Sequence, residues 1–339
     1  MRGKREFVAR ACSRTGITKV LESLPQRPVL IILNYHRVGN AADTPFDSGT
    51  FSATPEELDS QLAYLKRRFH MATLEEALGV VNGNREAPPR TSVLITFDDG
   101  YLDNYALAFP ILRKHGVQGV FFLPTAFVGS GKLPWWDEIA YMIKKSRQKS
   151  IRLEYPQPAT FDIENDGATR VSMQILHTFI QPAVKEPARF IADLEKACGT
   201  ARPENAGERL FLSWEEAREM QRCGMAFGSH TDTHEVLSKL SPEQQREEVF
   251  RSREILEREL DLRIDTLAYP VGQRYCFSPD TVEALKQTGY RAAFSFYGGL
   301  NRPGETQPFD ICRYSVGDQS YARLRLQTSL AAVSGTRWF

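Results

Sequence analysis

The feature that most restricts this chain is a rhythm in which short β-rich apolar runs alternate with stretches whose apolar residues return at helical spacing. The runs fall at 29–35, 92–97, 119–123, 225–228, 266–269 and 292–296, with a last one at 311–316. Alternation of this kind is the order of an α/β fold with parallel strands. Val29-Leu30-Ile31-Ile32-Leu33 is apolar without interruption, as expected of a strand covered on both faces. Helix starts between the runs are well marked. Thr54-Pro55-Glu56-Glu57 and Ser241-Pro242-Glu243-Gln244 supply an N-cap, a first-turn proline and an acceptor three residues on. Thr73 with Glu76 and Ser213 with Glu216 read as capping boxes, and Ser278-Pro279-Asp280 as a further start. The helices expected behind these starts run over 55–68, 214–223, 242–260 and 279–288.

The rhythm breaks between about 130 and 210, where helical patterns near 137–147 and 169–197 flank a proline-bearing segment. Neighbouring strands of one sheet are normally joined by far fewer residues. The stretch is therefore read as a mostly helical insertion that leans over one end of the barrel. The length allows about two domains or one large α/β barrel with an insertion, and the expected bounds are a basic segment over 1–28, a main body over 29–320 that holds this insertion, and a C-terminal tail over 321–339.

Charge and composition narrow the partners. The 339 residues hold 43 Lys+Arg against 42 Asp+Glu, a net charge of +1. That balance offers no support for a nucleic-acid partner, which would call for a basic excess. The five cysteines stand far apart and read as free thiols. The longest apolar run near the start has five residues, too few for a signal-peptide core or a membrane span. A cytoplasmic location, or one peripheral to the inner face of the membrane, is the expectation. Arg2, Lys4, Arg5, Arg10, Arg14 and Lys19 stand among apolar residues near the start. Such a basic amphipathic segment suits peripheral contact with anionic lipid, although a solvated terminal helix is the plainer reading.

Two motifs carry chemistry. Asp98-Asp99-Gly100 ends the run 92–97. Two adjacent carboxylates repel when both are ionised, and a strand turns consecutive side chains to opposite faces, so the two should serve different ends. Gly100 permits a sharp turn into the next helix. His230-Thr231-Asp232-Thr233-His234 ends the run 225–228. Histidines four apart face one direction on a helical turn and can occupy two positions on one metal. In parallel α/β folds the functional face lies at the C-terminal ends of the strands, where both motifs fall. Two imidazoles and one carboxylate make a three-ligand catalytic site for zinc or a similar divalent ion, and the other Asp is then free to act as a base.

Thr96-Phe97-Asp98-Asp99-Gly100 and His230-Thr231-Asp232-Thr233-His234 together resemble the first two motifs of the polysaccharide deacetylases, the family 4 carbohydrate esterases. The resemblance runs from about 29 to 316, the insertion apart. Asn34-Tyr35-His36-Arg37-Val38 is similar to the branch that acts on poly-N-acetylglucosamine. The resemblance implies a distorted, incomplete (β/α) barrel of seven strands, TIM-like in plan. It implies metal-dependent hydrolysis of the N-acetyl groups of an oligo- or polysaccharide, with release of acetate. It also implies Asp98 as catalytic base and Asp99, His230 and His234 as ligands of one divalent ion, most simply zinc, with cobalt or nickel also suited.

Departures from the family pattern matter as much. The third family motif is matched only at Pro270 and Gly272 of Tyr269-Pro270-Val271-Gly272, so the turn at Pro270 and its oxyanion donor, the Val271 N–H, are expected to be kept. The family arginine that pairs with the base is replaced by Ala268, and Arg313 is the candidate substitute. No histidine follows His234, so the family's late histidine is missing. His36, at the end of the first run, is then the candidate acid for the leaving amine. A carbohydrate-binding pseudoenzyme and a hydrolase of some other amide or ester are the competing readings. Trp214 and the pair Trp135-Trp136 suit either sugar stacking or packing, and His70, His115 and His177 are given no role.

Overall fold

The computed structural model describes residues 2–83, 90–205, 207, 209–317 and 319–335. Eight parallel strands form its centre: β1 Leu30–Tyr35, β2 Ser92–Asp98, β3 Gly119–Leu123, β4 Ala226–Ser229, β5 Thr266–Ala268, β6 Ala292–Ser295, β7 Ile311–Cys312 and β8 Tyr314–Ser315. Their order across the sheet is β8-β1-β2-β3-β4-β5-β6-β7. A ninth strand, His70–Met71, pairs with the start of β2. Only Arg313 separates β7 from β8, so one chain segment pairs first with β6 and then with β1, and the sheet is nearly closed. This is the distorted (β/α) barrel that was expected. Its seventh strand, however, is two pieces rather than one run over 311–316. The break has a local cause: the Arg313 side chain is drawn wholly inside, and its carbonyl accepts from the Gly298 N–H at 3.0 Å.

Alternation along the strands sorts their residues into two apolar clusters. Ile31, Leu33, Val93, Ile95, Phe97 and Phe121 pack outward against Leu58, Leu62 and Leu112 of the helices. Leu30, Ile32, Leu94, Val120, Phe122 and Phe294 pack on one another inside. The inward positions continue to Asn34, Thr96, Asp98 and Arg313, all buried and polar. The interior thus changes from apolar to polar toward the C-terminal ends of the strands.

The covering helices begin where their caps predict. Capping boxes form at Thr54, Thr73, Ser213 and Ser241, opening Pro55–Arg68, Leu74–Val81, Trp214–Arg222 and Pro242–Leu260, and Pro279–Gln287 follows Ser278. The insertion holds the helices Trp135–Lys145, Ala168–Ile180 and Pro187–Cys198 and an antiparallel hairpin, Ser150–Leu153 with Ala159–Asp162, which sequence reading missed. It has a core of its own, built on residues such as Ile139, Ile151, Ile175, Phe179 and Phe190.

The stretch read as a C-terminal tail is mostly helical. Residues Tyr321–Ser334 form a helix, capped by Ser320. Its Leu324, Ala331 and Ala332 join the outer cluster that includes Ile31 and Leu33 of β1. The helices Arg2–Arg14 and Ile17–Ser23 pack against it in turn. Residues 336–339 lie outside the described part. No helix among the described residues is long and apolar enough to cross a membrane.

Candidate active site

Strand register assembles the site. Tyr35 pairs with Phe97, Asp98 with Phe122, Phe122 with Gly228, and Leu267 with both Ser229 and Ala293. The residues that follow these positions, His36, Asp99, His230 and Val271, therefore emerge at one end of the barrel. They line a cavity of about 520 Å³ with Asp98, His234, Asp47, Trp135, Trp136, His177 and Phe296. Trp135, Trp136, Leu176 and His177 belong to the stretch 130–210 and wall the cavity at the strand ends. Trp214 packs against the outer cluster instead.

Backbone strain brings the polar groups together. Among the described residues, non-glycine positive φ angles occur at Asp99 (73°), Thr231 (65°), His234 (58°), Val271 (62°) and Asp261. The first four lie in the loops of this site, and such conformations persist only where the surroundings enforce them. At Asp99 the left-handed backbone turns the second carboxylate back into the cavity. The two Asp side chains therefore share one space rather than taking opposite faces. Gly272, at φ 65°, is obligatory, because an added Cβ would meet the Phe296 backbone nitrogen at 2.7 Å.

The His pair also meets differently from expectation. Residues 230–234 form a loop rather than a helical turn. The His234 N–H donates to Thr231 Oγ1 at 3.1 Å, and the Glu248 carboxylate accepts from the backbones of Asp232 and Thr233 and from the Thr233 hydroxyl. Asp232 is held by Thr125 and Arg251. Glu248, from the helix Pro242–Leu260, is thus a buttress that carried no sequence signal.

Asp99 Oδ1 lies 3.5 Å from His230 Nε2 and 3.4 Å from His234 Nε2, and the two nitrogens are 3.1 Å apart. All three side chains are buried. His230 Nδ1 faces the Ala268 carbonyl at 2.8 Å, which turns Nε2 toward its partners. Burial and the neighbouring His230 push His234 down to about 3, so its imidazole is neutral at ordinary pH. Asp99 Oδ1 is buried without a hydrogen-bond partner among the described residues. An orphaned carboxylate oxygen facing two imidazole nitrogens is costly alone, and it is the donor set of a divalent metal. The residues fit the ion.

Asp98 sits beside this cluster in a different environment. Arg313 donates from Nη1 to Oδ1 at 2.7 Å and from Nη2 to Oδ2 at 2.9 Å. Asn34 donates to Oδ2 at 2.9 Å and accepts from both Arg313 and Thr96. Burial pushes the Asp98 pKa up, but Arg313 and then His230 and His36 outweigh it and hold the carboxyl well below its usual range. Arg313 is thus the cation paired with Asp98. Its position is reached from the far end of the chain. Sequence reading takes Asn34 only as part of a motif and gives it no role of its own, yet it interrupts an apolar run at the same parity as Leu30 and Ile32.

His36 Nε2 lies 4.0 Å from Asp98 Oδ2, with its ring against Phe296. Its backbone is fixed on both sides: the N–H donates to Ser52 Oγ, and the carbonyl accepts from Asn104 of a π-helical turn. Pro270 is buried in the turn behind Val271. Beyond the cavity wall, Asp137 accepts from the Tyr101 hydroxyl at 2.8 Å and from the Asp47 N–H at 2.9 Å. Burial pushes Asp137 up to about 7. This acid pins the loop carrying Asp47 to the insertion.

Comparison with known proteins agrees with the barrel and its motifs. The sequence pattern of the polysaccharide deacetylases matches residues 85–153 and 158–293. The Bacillus subtilis (strain 168) polysaccharide deacetylase candidate YxkH is 22% identical over 264 residues, 77% of this chain and 62% of that protein. The chain therefore spans less than two thirds of that relative's length. Among solved structures, Streptococcus pyogenes deacetylase PplD in complex with acetate superposes with a TM-score of 0.58 at 18% identity, covering 89% of this chain and 98% of that one. IcaB from Ammonifex degensii gives a TM-score of 0.58 at 23% identity over the same shares. These two likenesses carry the fold. The family match extends over more than half of the sequence, from before β2 to within β6, and takes in both motifs: the chain belongs to the polysaccharide deacetylase family.

Proposed function

We propose that this protein removes N-acetyl groups from an N-acetylated oligo- or polysaccharide by metal-dependent hydrolysis, releasing acetate. The observation that carries the reading is the orphaned Asp99 Oδ1 facing His230 and His234, beside a second carboxylate that Arg313 keeps ionised. Asp99, His230 and His234 would hold one divalent ion, zinc being the simplest choice and cobalt or nickel also compatible. When bound, such an ion supplies Lewis acidity toward an acetamide carbonyl and a water of lowered pKa.

The chain's own residues do the rest. Asp98, ionised across the neutral range, accepts the proton of the attacking water. The Val271 N–H, in its strained turn, donates to the carbonyl oxygen as negative charge develops there. His36, beside Asp98 in the same cavity, protonates the leaving nitrogen. Arg313 and Asn34 fix the Asp98 carboxylate so that it does not reorganise during the reaction. The cavity's Trp135, Trp136 and Phe296 give apolar faces to a sugar ring.

The test is acetate release from N-acetylated oligosaccharides and from simple acetyl esters, with and without chelator, together with elemental analysis. Chelator-sensitive release from the oligosaccharides supports the reading. Metal binding with ester hydrolysis alone moves the protein to another hydrolase class. Saccharide binding without turnover makes it a pseudoenzyme.

A further inference from the structure

The nine large apolar side chains most exposed among the described residues are unevenly spread. Phe7, Val8, Ile17, Val20 and Leu24 account for five of them, with Phe7 at 73% and Val20 at 62% exposure. All five lie on or directly after the helices Arg2–Arg14 and Ile17–Ser23. Ile17, Val20 and Leu24 recur at i, i+3 and i+7, the spacing of one helical stripe. The opposite sides are anchored. Ala9 and Thr18 are buried, and Glu22 takes two hydrogen bonds from Arg325 of the C-terminal helix, at 2.9 and 2.8 Å. The stripe is therefore held in place and faces outward.

The charge around it has one sign. Residues 1–27 carry a net +5 while the rest of the chain carries −4. The only two acids in this segment are engaged. Glu22 faces Arg325, and Glu6 accepts from Arg10 at 3.0 Å and from the Ser320 N–H at 3.5 Å. Lys4, Arg14 and Lys19 stand exposed.

We infer that this two-helix face docks the protein peripherally on an anionic lipid surface. Apolar side chains enter the boundary between headgroups and acyl chains, and the flanking cations meet the headgroups. A second copy docked through the same face would set +5 against +5, and a polyanion without an apolar phase would leave Phe7 and Val20 in water. With no helix able to span a bilayer among the described residues, the contact is interfacial.

The test is co-sedimentation of the full chain with vesicles of phosphatidylglycerol and phosphatidylcholine, against vesicles of phosphatidylcholine alone. Binding should require the anionic lipid and weaken as salt is raised. Phe7→Ser with Val20→Ser should weaken it about tenfold. Lys4→Gln with Arg14→Gln and Lys19→Gln should weaken it on the order of a hundredfold. Both variants should keep the wild-type melting temperature, because the altered side chains point away from the barrel. Absence of binding to the anionic vesicles overturns the inference. So does binding that neither variant diminishes, or a dimer in sedimentation velocity that the apolar variant abolishes in a protein that ignores vesicles.

Discussion

At the scale of single residues, the site turns on two carboxylates one position apart with opposite needs. Among the described residues Asp99 Oδ1 lacks a hydrogen-bond partner, whereas Asp98 is saturated by Arg313 and Asn34. His234→Ala should therefore remove bound metal and turnover together, read by elemental analysis and acetate release. Asp98→Asn should keep the metal and lower kcat by about 10²–10⁴-fold, the usual worth of a positioned base. Arg313→Met strands a buried carboxylate and should cost about 3–5 kcal/mol in urea unfolding, with part of the loss returned when Asp98→Asn is added, because the uncompensated charge is then gone. Sequence reading singled out Asp98, Asp99, His230, His234 and His36 because each stands at the end of an apolar run or in a family motif, and Arg313 because the family arginine is absent and the last run holds another. It gave no role to Asn34 or Glu248. A lone amide within a strand and one acid on a charged helix carry no signal until register and packing show what they face.

At the scale of elements, the insertion acts as a wall and as a clamp. Its helix Trp135–Lys145 presents Trp135 and Trp136 to the cavity and buries Asp137, which ties down the loop carrying Asp47. Burial pushes Asp137 from its ordinary 3.8 up to about 7, so the folded state holds this proton more tightly than the unfolded chain. Its contribution to stability is complete below about pH 4 and is lost as pH rises toward about 7. The stability difference between wild type and Asp137→Asn should accordingly fall by about 2–3 kcal/mol between about pH 5 and 7.5, measured by denaturant melts. A second buttress predicts a different readout. Glu248→Gln loses one acceptor to the loop 230–234 and should weaken metal affinity by roughly 10-fold with the fold intact, as outer-shell changes commonly do; a metal competition titration reads it. The hairpin was hidden for a plain reason: Ile151 and Leu153 alternate with Arg152 and Glu154, but four residues of alternation are too few to stand out beside longer helical patterns.

At the scale of the whole molecule, the barrel is completed from its two chain ends. The C-terminal helix covers β1 with Leu324, Ala331 and Ala332, and the N-terminal helices lean on that helix. Leu324→Ala should cost about 2–5 kcal/mol in urea unfolding, as for other fully buried leucines. The segment after 320 read as a tail because its apolar residues are diluted by Arg323, Arg325 and small side chains, and its packing surface exists only once β1 and β8 are paired. The break at Arg313 has a consequence in time as well as in space. Asp98 and its guanidinium partner stand 215 positions apart, so during synthesis the first motif leaves the ribosome long before the residue that balances its charge. Contacts of such separation form late, after the costly closure of the intervening chain. A chain that has built β1 to β6 already holds the candidate ligands Asp99, His230 and His234, yet its other carboxylate is still uncompensated. Docking of the last strand thus closes the sheet and balances the Asp98 charge in one event, and on the proposed function a nascent or truncated chain that stops short of it would gather a metal ion but not turn over.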